Sequence, residues 1–288
     1  MYNVNIVAGS KYQRQIDEIY KAGAKTSILE GSNVNVIAGP AGKFYVAKES
    51  SNGLGDYTAN GYPTDEVALT WEEITRLNSR AVRKTVDRLD NFDSMDVVAA
   101  SLYPSLIRNH AVPETDILRI STIAKKAPVA NTVAANLTSG ADVISAINVA
   151  RTRFANTEVS MEDLVLFINP ALTNLVRTVS MLNSPLQSIF ADMTVVEVPE
   201  TRMFTDVTLK DGTSELGFTP GGVAINFLLI DKSAVICKYS QWTKEYNPGE
   251  YPGLDSFVLE FRNENWCSVF DNKVNGIYLH TVAWIMPF

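Results

Sequence analysis

Residues 33 to 77 constrain the fold more than any other stretch of the chain. The runs "NVNVIAG" (33–39), "KFYVAKE" (43–49) and "EVALTWEEI" (66–74) alternate apolar and polar side chains. That is the pattern of strands with one covered face. Between the last two runs lies "SSNGLGDYTANGYPT", carrying Gly53, Gly55, Gly61, Pro63 and two Asn-Gly steps, all of it turn chemistry. The prediction is a long two-stranded excursion with a glycine-rich tip. Such a hairpin leaves edges and apolar faces open, so it needs a surface beyond itself to pack on. The "GLG" within it is no dinucleotide fingerprint, because it neither follows a buried strand nor opens a helix.

A second constraint is a rod. Over 93–127, Asp93 and Ser94 offer caps, and Val98, Leu102, Leu106 and Ile107 make an apolar stripe. Pro104 and Pro113 predict that the helix is kinked or divided. Beyond Pro113, "PETDILRISTIAKK" places Glu114 and Asp116 early and Lys125 and Lys126 late, an order that complements the helix dipole. Ile117, Ile120 and Ala124 supply its core face. About 30 helical residues would span roughly 45 Å, a length that suits a structural spine.

The remaining segments read more simply. Residues 1–30 form an arm, with Ser10 as a cap and Ile16, Ile19 and Tyr20 on one helical face. From 140 to 240 the pattern is α/β. "ADVISAINVARTRFAN" and "ALTNLVRTVSML" are helical, and Ser139 or Asp142 caps the first. "LVLFINP" is an apolar run buried on both sides. "MTVVEVPETRMF" and "AINFLLIDKSAVICKY" are strands, and "LKDGTSELGFTPGG" is a loop. Residues 241–288 return to strands with "FVLEFRNENWCSVF" and "GIYLHTVAWI".

Composition narrows the function. The chain has 288 residues, enough for a sizeable core without metals or disulfides. The net charge of −7 argues against tight, nonspecific DNA binding. No apolar run approaches the roughly 20 residues of a membrane helix, and no signal peptide opens the sequence. The expectation is a protein made and kept in a cytoplasm. There is no Walker motif, nucleophile elbow or HExxH, and two histidines cannot build a histidine-rich metal site. No cofactor or metal is expected. His110 reads as a surface or capping histidine on the kinked helix.

Cys267 and His280, within "WCSVFDNKVNGIYLH", are the one sequence hint of a thiol hydrolase. If their strands pair, the cysteine lies near either face of the histidine strand, depending on register. Its neighbours Trp266 and Val269 are not the electropositive setting of a reactive thiol. Cys237 and Cys267 allow one disulfide, but buried thiols fit a chain with no export signal better. Asp271-Asn272-Lys273 and Asn275-Gly276 turn the chain before "GIYLH".

The order of these segments resembles the major capsid proteins of tailed bacteriophages, with the fold first seen in phage Hong Kong ninety-seven. "YQRQIDEIYKAGAKTSIL" is similar to the family's N-arm, and "NGLGDYTANGYPT" with "LTWEE" to its extended loop. "TVDRLDNFDS" resembles the stretch leading to the spine helix, and "VPETDILRISTIA" its later part. "VVEVPETRM" and "AINFLLIDKSAVI" are similar to axial-domain strands, and "DNKVNGIYLHT" to the closing strand. The resemblance runs over nearly the whole chain.

It implies an α+β phage capsid fold: an N-arm (1–30), an extended β-hairpin loop (31–78), a peripheral domain with a long spine helix (79–129), an α/β axial domain (130–240) and the peripheral return strands (241–288). It implies a non-enzymatic subunit that self-assembles into hexamers and pentamers of an icosahedral shell in the virion, built in the host cytoplasm around double-stranded DNA held only by proximity. Scaffolding, portal and decoration proteins are the implied partners. No scaffolding segment precedes the arm, so scaffolding is expected to be separate or cleaved off. An encapsulin-type nanocompartment shares the fold and is the alternative; a carbohydrate-binding module using the glycine-rich loop fits the spine poorly. Some members join a loop lysine to a neighbour's asparagine; Lys43, Lys48, Asn263, Asn265, Asn272 and Asn275 are the residue types present, but that chemistry also needs a suitably placed carboxylate in a dry pocket, which nothing in the sequence establishes. Exposed aromatic and apolar anchors for subunit contact are expected at Tyr12, Ile16 and Tyr20 in the arm, Tyr57 and Tyr62 in the loop, and Phe218 in the axial-domain loop.

Overall fold

The computed structural model describes residues 20, 23–31, 36–38, 42–50, 68–88, 104–182, 193–213 and 217–283. They fall in two units, one drawn from 33–76 and the other from 1–32 and 77–288.

In the smaller unit, β1 (Val36–Ala38), β2 (Phe44–Ser50) and β3 (Ala68–Ile74) form an antiparallel sheet in that order. The alternation of the sequence is carried through: Phe44 opposes Ile74 and Val46 opposes Glu72, while Ala47 opposes Trp71 on the other face. The glycine-rich tip, with Tyr57 and Tyr62, lies outside the described residues.

The larger unit begins with Tyr20 and a 3-10 turn, Lys25–Leu29. Strand β4 (Arg76–Asp87) follows, in a stretch where the sequence reading sees no strand. Then comes the spine. A π-helical turn, Ile107–Ala111, runs into α1 (Val112–Lys126). Of the kink or division expected at Pro113, the division does not occur: the chain is helical from 104 to 126. Proline lacks an N–H and its ring clashes with the carbonyl four residues back. The wider π turn just ahead of Pro113 relieves that clash without dividing the rod.

Beyond it lie β5 (Thr132–Ala134), α2 (Gly140–Asn156), β6 (Leu164–Ile168), α3 (Pro170–Leu182), β7 (Thr194–Glu197) and β8 (Phe204–Leu209). The chain ends with β9 (Phe218–Asp231), β10 (Val235–Tyr246), β11 (Ser256–Val269) and β12 (Ile277–Thr281). Helix α2 opens on a capping box that uses both predicted residues. The Ser139 hydroxyl accepts from the Asp142 N–H at 3.2 Å, and the Ser139 N–H donates to the Asp142 carboxylate at 3.0 Å. Such a cap stabilises a helix by about 1 kcal/mol. A side chain at Gly140 would meet Val179 Cγ2 at 2.6 Å and the Leu175 carbonyl, so only glycine lets α2 approach α3 this closely.

One sheet has the order β10-β11-β4; the other has β5-β12-β9-β6-β7, with β8 pairing the first half of β9. In β6, Leu164, Leu166 and Ile168 join α2 and α3 in one apolar cluster. Val165 and Phe167 join Ile120, Ile123 and Ala124 of α1 in another. Thus the period of two in a fully apolar strand places helices on both faces of one sheet. Each fully buried side chain of this kind contributes about 1.5–3 kcal/mol.

Two placements differ from the sequence reading. The closing strand β12 lies between β5 and β9 in the larger sheet, not with the return strands β10 and β11. All its residues are buried, and only a central position covers both faces. Phe218 is not in a loop but opposes Leu209 in the β8–β9 ribbon. The glycine pair that suggested a loop sits at an irregularity instead: Gly222 has a φ of 69°, next to the register shift between Phe204 and Asp206.

Candidate functional site

The thiol and imidazole of the terminal stretch do not meet. The strands carrying Cys267 and His280 are not paired, so neither register considered for them occurs. Cys267 opposes Cys237 across β10 and β11, and burial pushes its thiol well above the usual range. His280 opposes Phe227 across β12 and β9 and stacks on that ring at 4.9 Å between centroids. Its Nδ1 lies 3.1 Å from Asn226 Nδ2. The same amide donates to the carbonyls of Ala135 and Thr281. Burial lowers the imidazole pKa, which fits a neutral ring accepting at Nδ1. This is a satisfied core histidine joining three strand segments. Among the described residues no group of acidic, histidine or cysteine side chains could hold a metal ion, and no helix is long and apolar enough to cross a membrane.

A buried polar centre that the sequence reading misses sits where α1 meets the N-terminal turn. Asp116, fully buried, accepts from the N–H of Lys25 at 3.1 Å, the N–H of Thr26 at 3.0 Å and the Thr26 hydroxyl at 2.8 Å. Arg202 Nη1 donates to it at 3.0 Å. One turn on, fully buried Arg119 donates through Nη1 to Glu30 Oε1 at 2.7 Å. Glu30 also accepts from the Tyr20 hydroxyl at 3.0 Å. The sequence signal was available: Asp116, Arg119, Ile120 and Ile123 are spaced to share a helix face, so two charges lie on a core stripe. They fasten the chain's beginning to the spine by charge-assisted hydrogen bonds.

Of the expected contact residues, Tyr12, Ile16, Tyr57 and Tyr62 lie outside the described residues. Tyr20 is no exposed anchor: it is buried, with its ring stacked on Tyr239 at 3.8 Å and nearly parallel. Tyr20 joins Ala24, Ile107 and Phe261 in an apolar cluster. Phe218 is half-buried in its ribbon.

The exposed apolar surface lies elsewhere. In the small sheet Val46 and Ile74 are buried on one face. On the opposite face Ile37 opposes Tyr45, and Trp71 opposes Ala47 with Leu69 two residues before it. Ile37 is 53% exposed, Leu69 61% and Trp71 50%. Single exposed apolar residues are ordinary, but here three large ones share one face of a three-stranded sheet. The "LTWEE" run held this signal, since Leu69 and Trp71 alternate with polar residues.

No protein-family model matches the chain, and no curated protein matches it. Solved structures do. The chain is similar to the capsid of cyanophage P-SCSP1u, with a TM-score of 0.60 and 11% identity over 88% of this chain and 90% of that one. It is similar to the mature capsid of bacteriophage PhiM1, with a TM-score of 0.59 and 13% identity over 84% of this chain and 82% of that one. A virus-like particle from Pyrococcus furiosus aligns with a TM-score of 0.51 and 13% identity over 92% of this chain and 95% of that one. The chain has the α+β fold of phage capsid subunits.

Proposed function

We propose that this chain is a major capsid protein, a shell subunit that assembles with copies of itself into the icosahedral head of a tailed bacteriophage. The fold supports the class of protein. The observation that carries the reading within this chain is the exposed Ile37, Leu69 and Trp71 face of the small sheet. A thin sheet with an apolar face open to water is a poor part of a monomer and a good part of a lattice. Contacts between unlike patches of identical subunits generate rings and extended arrays.

In this reading the shell is built of hexamers and pentamers in the host cytoplasm and then forms part of the virion. The six-stranded sheet with α2 and α3 is the axial domain, α1 the peripheral spine, 1–30 the N-arm and 31–78 the extended loop. Scaffolding, portal and decoration proteins are its partners. With a net charge of −7, the subunit encloses double-stranded DNA without gripping it.

Sedimentation of the purified chain over a concentration series, alone and with candidate scaffolding proteins, tests this. The proposal predicts discrete fast-sedimenting species of shell size. A monomer under every condition overturns it. Shells that enclose protein cargo and no nucleic acid, when made in their own host, would instead establish a nanocompartment.

A further inference from the structure

Cys237 and Cys267 are nucleophilic groups for which the shell reading has no use. They are direct cross-strand partners in β10 and β11. Their sulfurs lie 2.8 Å apart, both as free thiols. Opposed residues in an antiparallel ladder have Cα atoms about 4.5 or 5.5 Å apart, and disulfides span roughly 4.4–6.8 Å. The backbone therefore already has disulfide spacing. The ladder runs from the Val235–Val269 pair to the Tyr246–Val258 pair, so the sulfurs cannot drift apart while the sheet stands. Both thiols are buried in the cluster that holds Leu29, Ile120 and Val269. Burial raises the Cys267 thiol pKa, and the Arg119 guanidinium opposes that only as the least of the influences on it, so formation of the thiolate that starts the oxidation is the slow step.

We propose that Cys237 and Cys267 form a redox modification site that closes to an intrachain disulfide, with a hydroperoxide as oxidant. One thiolate attacks the peroxide, the O–O bond breaks, and a sulfenic acid and water result. The second sulfur then attacks the first, the S–O bond breaks, and a second water leaves as the S–S bond forms. In all, two thiols lose two electrons and two protons to one hydrogen peroxide, which becomes two waters. The second sulfur stands opposite the first, so the sulfenic acid is captured before further oxidation. The bond closes the loop from 237 to 267 and stabilises the sheet by restricting the unfolded chain. This inference rests on strand register and burial, not on the shell reading.

The test uses the full-length chain and hydrogen peroxide. One sample is treated folded; a second is refolded from the reduced, denatured state in the presence of peroxide, so that burial alone does not decide the result. Each is then denatured, alkylated with N-ethylmaleimide and weighed intact. Untreated chain takes up two labels. Oxidised chain takes up none, is lighter by the mass of two hydrogens, and regains both labels after dithiothreitol. Peptide mapping then places the bond between Cys237 and Cys267. A bond in either sample supports the proposal. Two retained thiols in both, separate sulfinic or sulfonic acids, or bonds between chains overturn it.

Discussion

Asp116 holds Thr26 by two hydrogen bonds to one oxygen: Oδ1 accepts from the backbone N–H at 3.0 Å and from the hydroxyl at 2.8 Å. With Lys25 N–H and Arg202 on Oδ2, a single buried carboxylate ties together three segments distant in sequence. Asp116→Ala leaves the Arg202 guanidinium and the turn's N–H groups without their acceptor. The expected loss is about 3–5 kcal/mol, read from chemical denaturation. Asp116→Asn keeps the shape and some of the hydrogen bonds, and should cost about 1–3 kcal/mol. Limited proteolysis should cut the Lys25–Leu29 turn faster in both variants.

Arg119 makes a different prediction. Its Nη1 is well placed on Glu30, but its Nε and Nη2 have no partner among the described residues. Much of the guanidinium's desolvation is therefore not offset. Arg119→Met fills the same volume but leaves Glu30 without its cation, and should cost less than Arg119→Ala, which also opens a cavity and should cost about 2–5 kcal/mol. Thermal unfolding of the two variants side by side distinguishes a packing role from an ionic one.

The pH dependence of stability has a definite sign at His280. Burial lowers its folded pKa below the usual 6.5. Above that value both folded and unfolded forms are neutral, and the group is indifferent to pH. As pH falls through 6.5, the unfolded chain takes up a proton that the folded chain refuses, so stability is lost until the depressed folded pKa is reached. Stability should decline as pH falls below about 7, and His280→Gln should flatten that part of the curve. An identical slope in the variant would assign the decline to other groups.

The small sheet supplies a prediction about assembly. Trp71 and Leu69 are exposed in the single chain, so Trp71→Ser and Leu69→Ser should leave unfolding within about 0.5 kcal/mol of wild type. On the shell reading the double substitution lowers the yield of large assemblies by at least tenfold at equal concentration, because anchors of this kind carry about 2 kcal/mol or more each. Quantitative sedimentation against a fluorescence melt separates the two effects.

How much the sequence revealed depends on how local each signal was. The strands β2 and β3 were legible because Tyr45, Ala47, Leu69 and Trp71 alternate with side chains of the opposite face. Helix α2 was legible from Ser139, Asp142 and the Val143–Ile147–Phe154 face. Strand β4 was not: Arg80, Arg83 and Lys84 interrupt its apolar positions, and of its residues only Val86 is buried. Its strand character comes from pairing with β11, far along the chain. Strand β12 was legible as a strand in "GIYLHTVAWI", but its place between β5 and β9 was not, since they come from different parts of the sequence, and neither was Cys237 opposite Cys267. Pro113 showed that the rod must adjust but not how, since a π turn and a break satisfy the same steric demand. The sequence reading uses Asp116 only for its place in the charge order of the helix and gives Arg119 no role, because their partners Thr26, Glu30 and Arg202 lie outside the helix.

The central claim is that many copies of this chain build a closed shell in which a neighbouring subunit covers the Ile37, Leu69 and Trp71 face. Electron microscopy of assembled particles, at a resolution that traces the chain, tests it most directly. The prediction is closed icosahedral shells of hexamers and pentamers with those three side chains packed on an adjacent subunit. Monomers alone, or shells in which that face looks onto solvent, would contradict it.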